Sequence, residues 1–117
     1  MIVRPVLLDD EAKAALGPSM GPLTWQEVEG WIAEGCACVW RIGQSAWALT
    51  LANGDYEVEI LAAGGSGAWR AAAPFEKAMR ALPEHKGMTL RIDGRAGWRR
   101  LYRHWDCDES GVLTLKV

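Results

Sequence analysis

Three glycines stand where an apolar stretch gives way to a helix-forming one, in the run "ILAAGGSGAWRAAAPFEKAMRAL" from Ile60 to Leu82. They are Gly64, Gly65 and Gly67. A helix N-terminus exposes unpaired backbone amides and the positive end of the helix dipole, so glycines there let a phosphate come within hydrogen-bonding distance. A turn that needs positive φ angles selects the same residue type. The run predicts a strand followed by a helix, and it leaves two uses open for the glycines between them.

Two carboxylates precede this run in the sequence "EVEILA", where Glu57 and Glu59 are two positions apart. Side chains at that spacing on a strand point to the same face. When two carboxylates stand side by side, the pKa of one can rise toward neutrality, and that group can then act as a general base. The alternative is that both side chains face solvent on a half-exposed strand.

The cysteines and histidines form no pattern that predicts a metal site. Cys36 and Cys38 make a C-x-C pair, but neither a second pair nor a histidine cluster accompanies them, and Cys107 stands alone. We therefore predict buried free thiols in a reducing compartment, and no bound metal. His85 and His104 have no partner signature, and we expect His104 at the surface.

Arginines are concentrated in the C-terminal third of a chain whose net charge is -2. These arginines are Arg91, Arg95, Arg99, Arg100 and Arg103. Three of them recur at every fourth residue, which predicts one cationic stripe on a helix. The acidic balance and the lack of a binding motif argue against a nucleic-acid partner. The phosphates of a coenzyme, or solvent alone, remain as the stripe's partners.

The positions of these groups depend on an alternation of strands and helices that fits one domain over residues 1–117. No apolar run is long enough to span a membrane and no signal peptide is recognisable, so we expect a cytosolic protein without a membrane partner. Turn signals at Gly43-Gln44 and Asn53-Gly54 predict an antiparallel meander. The predicted elements are a strand at Ile2–Leu8, a helix in "DDEAKAAL", a helix from Thr24 to Gly35, three strands from Cys36 to Ala63, a helix at Ala68–Leu82, a strand in "MTLRID", a helix in "GRAGWRRLYRHW" and a strand in "GVLTLKV".

This order predicts a mixed α/β (α+β) fold in which the strands on either side of the Ala68–Leu82 helix are parallel. Thr24 and Glu27 form a capping-box pattern at the start of the second helix. Pro74 leaves two choices for the third helix, because a proline beyond the first turn kinks a helix. Either the helix starts near Ala72 or it bends.

The seven tryptophans are divided by their positions into two groups. Five have helical core spacing, namely Trp25, Trp31, Trp69, Trp98 and Trp105. Trp40 and Trp47 flank a hairpin turn and are the best candidates for exposed residues that bind another protein.

The order of elements resembles the GNAT (N-acetyltransferase-like) superfamily, over nearly all of the chain. "EVEILAAGGSGAW" resembles that family's central strand and pyrophosphate loop. "GWRRLYRHWDC" resembles its late motif, a Leu-Tyr pair on a helix. The segment "GRAGW" from Gly94 to Trp98 is similar to the "GRxGW" segment of compact GNAT-like proteins from tailed phages and prophages.

The resemblance implies a mostly antiparallel, splayed sheet with about four helices, and an acyl-CoA-dependent N-acyltransferase with an unknown amine acceptor. Acetyl-CoA or another acyl-CoA would be the donor. Glu57 would assist deprotonation of the amine, and Tyr102 would protonate the leaving thiolate. The coenzyme would contact Leu61, Ala63, Gly64, Gly65, Ser66, Gly67, Ala68, Trp69 and Arg70.

A second hypothesis retains the fold without the chemistry. In it the chain is a catalytically inactive phage or prophage accessory protein, associated with the virion, whose tryptophan-rich surface binds a phage or host protein. Ala62 favours this hypothesis, because the family usually has Gln or Arg at that point of the loop. Glu57, Gly65, Gly67 and Tyr102 favour the first.

Overall fold

The computed structural model describes residues 1–93 and 96–117, which form one open sheet with helices on both faces. The elements, in chain order, are β1 (Val3–Val6), α1 (Asp10–Leu16), α2 (Trp25–Ala33), β2 (Ala37–Ile42), β3 (Ala46–Asn53), β4 (Glu57–Gly65), α3 (Ala68–Ala81), β5 (Thr89–Asp93), α4 (Ala96–Leu101), β6 (Asp106–Cys107) and β7 (Val112–Lys116). Short 3₁₀ helices occupy Gly17–Ser19 and Pro83–His85. The predicted order is confirmed, and the two-residue strand β6 is an addition to it.

The sheet has the strand order β1-β2-β3-β4-β5-β7-β6, and β4 with β5 is its parallel pair. Every other neighbouring pair is antiparallel. The turns at Gly43-Gln44 and Asn53-Gly54 join β2 to β3 and β3 to β4 as predicted. The fold class, a mixed and mostly antiparallel sheet with four α helices over the described residues, is confirmed.

The parallel pair is short. β4 pairs with β5 only from Glu57 to Glu59, although β4 continues to Gly65. Beyond that point the register between β3 and β4 shifts, so that Leu61 is an extra residue between the paired Ile60 and Ala62. Such a bulge bends the strand that carries it. The sheet is therefore open between β4 and β5 over the second half of β4.

Two apolar cores lie on opposite faces of the sheet. Leu16 of α1 and Val28 of α2 pack with Leu49 on one face. Phe75 and Met79 of α3 pack on the other face, together with the residues that follow α4. The helices before and after the meander thus cover different faces.

The sequence predictions for the start of α2 and the start of α3 differ in how well they agree with the structure. The capping box of α2 is confirmed, because Glu27 N–H donates to Thr24 Oγ1 at 3.2 Å and Thr24 N–H donates to Glu27 Oε1 at 3.2 Å. Helix α3 begins at Ala68, so a start near Ala72 is wrong. Pro74 lies inside this helix and removes the amide that would otherwise donate to the carbonyl of Arg70.

The prediction for the last helix is wrong in its length. Helix α4 ends at Leu101, and Tyr102 and Trp105 follow it with their rings 4.6 Å apart in the core. The chain has to turn there, because β6 pairs with β7 immediately afterwards. Arg103 consequently lies beyond the helix, and a single helical stripe with Arg99 is not formed. Gly94 and Arg95, also part of the predicted motif and stripe, lie outside the described residues.

The tryptophans are also arranged differently from the prediction. Trp69 was expected in the core but is 64% exposed at the start of α3. Trp47 was expected at the surface but is buried against the α1 and α2 face. Trp40 is half-buried, and its Nε1–H donates to Thr50 Oγ1 at 2.9 Å. The predicted exposed pair beside the hairpin is therefore wrong, because the sheet is covered on both faces at that point.

No helix in the described part of the chain has the length and apolar character of a membrane span.

Candidate functional site

A cavity of about 380 Å³ lies between β4, the first half of α3 and the region of α4. Strand β4 forms one wall, α3 a second, and α4 with Tyr102 a third. Residues of these three walls include Ile60, Ala63, Ala68, Trp69, Ala71, Ala72, Phe75, Gly97, Trp98, Arg100, Leu101 and Tyr102. Most of these side chains are apolar. Strands β2 and β3 contribute the remaining lining residues, which are Ile42, Ala46, Trp47 and Ala48, and no described residue of β5 is among them. The cavity therefore lies over the part of the sheet formed by β2, β3 and β4, and it has the size of a small-molecule site.

The N-terminus of α3 opens at the same end of the cavity. Gly67 is the N-cap with φ +65°, and no side chain caps the helix there. The amide of Arg70 donates to the carbonyl of Gly67 at 2.9 Å, which uses one first-turn amide internally. Gly67 itself is exposed and Ala68 is half-buried. The first amides of α3 thus keep the geometry that favours an anion.

Gly64 and Gly65 have to be glycines because other backbone segments pack closely against them, and not because the chain forms a loop there. They extend β4, opposite Trp47 and Ala46 of β3. A Cβ on Gly64 would lie 1.9 Å from the carbonyl oxygen of Ala15, and a Cβ on Gly65 would lie 2.1 Å from the carbonyl oxygen of Ser45. Both glycines therefore let backbone segments approach closely, and only Gly67 occupies the junction itself.

Ser19 is a residue of this region that the sequence did not single out. Its Oγ donates to the carbonyl of Ala63 at 2.8 Å and accepts from the amide of Ala63 at 3.1 Å. Both backbone groups of Ala63 are thus satisfied by the chain, although Ala63 was a predicted coenzyme contact. The carbonyl of Ser66, another predicted contact, accepts from Ser45 Oγ at 3.1 Å. A serine in a turn that binds a distant strand has no local sequence signal.

Two arginines stand at the open end of the cavity. The guanidinium of Arg70 stacks on the ring of Trp69 at 4.8 Å from its centroid, and Arg100 lines the cavity wall. Over residues 1–93 and 96–117, neither arginine forms an ion pair with a carboxylate. Positive charge at the mouth is therefore available to an anionic ligand.

Glu57 and Glu59 share a face of β4, as predicted. The side-chain amide of Asn53 donates from Nδ2 to Glu57 Oε1 at 3.2 Å and to Glu59 Oε2 at 3.3 Å. Arg91 Nη1 lies 3.7 Å from Glu57 Oε1. Val58 and Ile60 face α3, so by alternation the two carboxylates lie on the opposite face of the sheet from the cavity. Both side chains are half-buried and share the side-chain amide of Asn53.

Tyr102 lines the cavity, but its hydroxyl is engaged. The side chain is 1% exposed, and its O–H donates to the carbonyl of Ala72 in α3 at 2.8 Å. Burial, and secondly the charge of Glu76, raise the pKa of Tyr102 well above its ordinary value. A phenol with a raised pKa is a weaker acid than usual, so proton transfer from it to a thiolate becomes less favourable. In this arrangement Tyr102 holds the chain after α4 against α3.

The thiols and histidines lie away from this cavity. Cys36 and Cys38 are half-buried, and burial raises the pKa of the Cys38 thiol. Cys107 is exposed on the edge strand β6, so the prediction of a buried thiol is wrong for it. Among the described residues no three His, Cys, Asp or Glu side chains are grouped to hold a metal. His104 is at the surface and contacts Glu76, whereas His85 is buried and bonded to the carbonyl of Met79.

Comparison of the chain with models of protein families, with curated proteins and with solved structures found no match in any of the three.

Proposed function

We propose that this chain is a GNAT-like domain that binds an acyl-CoA and transfers its acyl group to an amine. The observation that carries this proposal is the apolar cavity directly beside the start of α3, where no side chain caps the helix. A coenzyme with a diphosphate and a thioester arm has the two chemical features that such a site accepts.

The diphosphate would lie at the first amides of α3. Gly67 and Ala68 present these amides, and Arg70 and Arg100 add positive charge at the mouth. Gly64 and Gly65 extend β4 opposite Trp47 and Ala46, so we place the diphosphate at the start of α3 rather than on these two glycines.

Glu57 lies on the opposite face of the sheet from the cavity, within the paired part of β4. The amine would approach from that face through the opening beyond Glu59, and a water molecule would connect it to the carboxylate. Its nitrogen attacks the thioester carbon, the C–S bond breaks, and the proton lost by the amine passes through this water to the carboxylate. The leaving thiolate takes a proton from Tyr102 or from solvent. Tyr102 donates only when a bound ligand replaces the carbonyl of Ala72 as its hydrogen-bond partner.

Acetyl-CoA should stabilise the protein and change the emission of Trp69. At a ligand concentration 100 times Kd the free energy of unfolding should rise by about 2.7 kcal/mol, because the ligand binds only the folded chain. Urea unfolding with and without acetyl-CoA measures this change. In the Trp69→Phe variant the emission change should shrink while the stabilisation persists. An unchanged midpoint at millimolar acetyl-CoA would contradict the proposal.

Glu57→Gln should slow acyl transfer while leaving acetyl-CoA affinity unchanged. General-base assistance contributes about 10²-fold or more to a rate, and an amide cannot accept the proton. The measurement is thiol release from acetyl-CoA in the presence of a primary amine. Glu59→Gln is the matched control, since Glu59 also accepts from Asn53 but, among the described residues, forms no ion pair with Arg91. Equal rates in both variants and the parent would reject Glu57 as the base.

The second candidate, an accessory protein that binds a phage or host protein, is favoured by the exposed side chains of Trp69 and Leu101, which line the same cavity. The exposed tryptophan pair at the hairpin, which first suggested it, is not formed. A protein ligand at Trp69 would cover the mouth of the same cavity. Failure of the acetyl-CoA titration would leave this candidate in its place.

A further inference from the structure

The cavity is markedly poor in polar groups. Among the described side chains that line it, the polar groups are the indole N–H groups of Trp47, Trp69 and Trp98, the guanidinium of Arg100 and the hydroxyl of Tyr102. That hydroxyl already donates its proton to the carbonyl of Ala72. A polar group placed deep in this space would lose hydrogen bonds to water without gaining equivalent ones, which is unfavourable. The interior therefore selects an apolar occupant.

The opening of the cavity differs from its interior because it is charged as well as apolar. Trp69 and Leu101 line the cavity and are 64% and 36% exposed, so they mark its opening. Arg100 lines the same opening, and the guanidinium of Arg70 lies on the ring of Trp69. An apolar interior with two cations at its mouth matches a ligand with an apolar chain and an anionic head.

We propose that the cavity holds the hydrocarbon chain of a medium-length acyl group, with the anionic head of the ligand at Arg70 and Arg100. This inference rests on the proposed function and names its donor class, a medium-chain acyl thioester rather than acetyl-CoA. The volume of about 380 Å³ falls in the range in which proteins hold small molecules, roughly 300–1,000 Å³. An acetyl group would leave most of that apolar wall without a partner.

Chain length should consequently control affinity. Each methylene taken from water into an apolar site is worth roughly 0.8 kcal/mol, or about fourfold in Kd, when it is fully buried. Hexanoyl-CoA, with four more methylenes than acetyl-CoA, should then bind at least about tenfold more tightly even with incomplete burial. The measurement is calorimetric titration with CoA, acetyl-CoA, hexanoyl-CoA, decanoyl-CoA and decanoate.

The outcomes separate this inference from the proposed function. If all CoA compounds bind with the same Kd within twofold, the coenzyme site stands and the acyl-chain inference is overturned. If decanoate binds while CoA and acetyl-CoA do not, the chain site stands, the head is a free carboxylate, and the acyltransferase proposal fails. If no compound binds at millimolar concentration, both fail.

Ala72→Leu should remove the preference for longer chains by filling the cavity from α3. Ala73→Leu is its control, because Ala73 is exposed on the same helix and does not line this cavity. Leu101→Ser tests the same inference at an exposed position where folding is not at risk, and should reduce the preference severalfold. The Ala73→Leu control should keep the full preference for longer chains. If a folded Ala72→Leu or Leu101→Ser variant keeps it as well, the inference is overturned.

Discussion

Gly64→Ala is expected to lower the free energy of unfolding by roughly 3 kcal/mol, or to prevent folding altogether. The added Cβ would lie 1.9 Å from the carbonyl oxygen of Ala15, which is backbone and cannot rotate away. Helix α1 would have to move off β4, and this would open the core around Leu16, which is fully buried. Urea unfolding followed by tryptophan fluorescence measures the change.

Two other glycines provide controls, one whose replacement should destabilise the protein slightly and one whose replacement should stabilise it. Gly67 has φ +65° but open space around its Cβ position, so Gly67→Ala should cost about 1 kcal/mol of backbone strain and no more than 2. Gly30 lies within α2 with open space and an ordinary φ, so Gly30→Ala should stabilise the protein by about 1 kcal/mol. If Gly64→Ala were as stable as the parent, the close approach of α1 to β4 would be wrong.

Tyr102→Phe should make the protein more resistant to alkali than the parent. Burial raises the pKa of Tyr102 in the folded chain above the ordinary value of 10.0. Above about pH 10 the unfolded chain therefore loses this proton while the folded chain keeps it, so the parent loses stability as pH rises. The loss should be about 1.4 kcal/mol for each pH unit above 10. The phenylalanine variant lacks this dependence.

The free energy of unfolding of Tyr102→Phe near neutral pH should also be lower than that of the parent, by about 1 kcal/mol, because the hydrogen bond to the carbonyl of Ala72 is lost. Tyr56→Phe is the matched control, since Tyr56 is 82% exposed and should leave the alkaline slope unchanged. Free energies of unfolding at pH 7, 10 and 11 test both statements. Equal slopes in Tyr102→Phe and the parent would mean that the hydroxyl is not buried as described.

Features set by neighbours in the chain could be predicted from the sequence. The capping box at Thr24 and Glu27 and the turn at Asn53-Gly54 involve residues at most a few positions apart, so the pattern is sufficient to specify the contact. The parallel pairing of β4 with β5 followed from the helix between them. These local signals were enough to establish the element order and the fold class.

Features set by distant contacts could not be predicted. Gly64 was taken as a loop glycine, because the sequence gives no sign that the carbonyl of Ala15 approaches it. Ser19 binds Ala63 across the fold without a local motif. Helix α4 ends early because Trp105 packs on Tyr102 and β6 must reach β7, whereas helical spacing alone favoured continuation to Trp105.

The proposed function requires that the first amides of α3 bind the diphosphate of a coenzyme. Its most direct test is an amide NMR titration of ¹⁵N-labelled protein with acetyl-CoA. We expect the resonances of Gly67, Ala68 and Trp69 to shift together with a single Kd, while that of Gly87, in the turn before β5 at the opposite end of the sheet, does not move. Shifts confined to other parts of the chain, or none at millimolar acetyl-CoA, would contradict the claim.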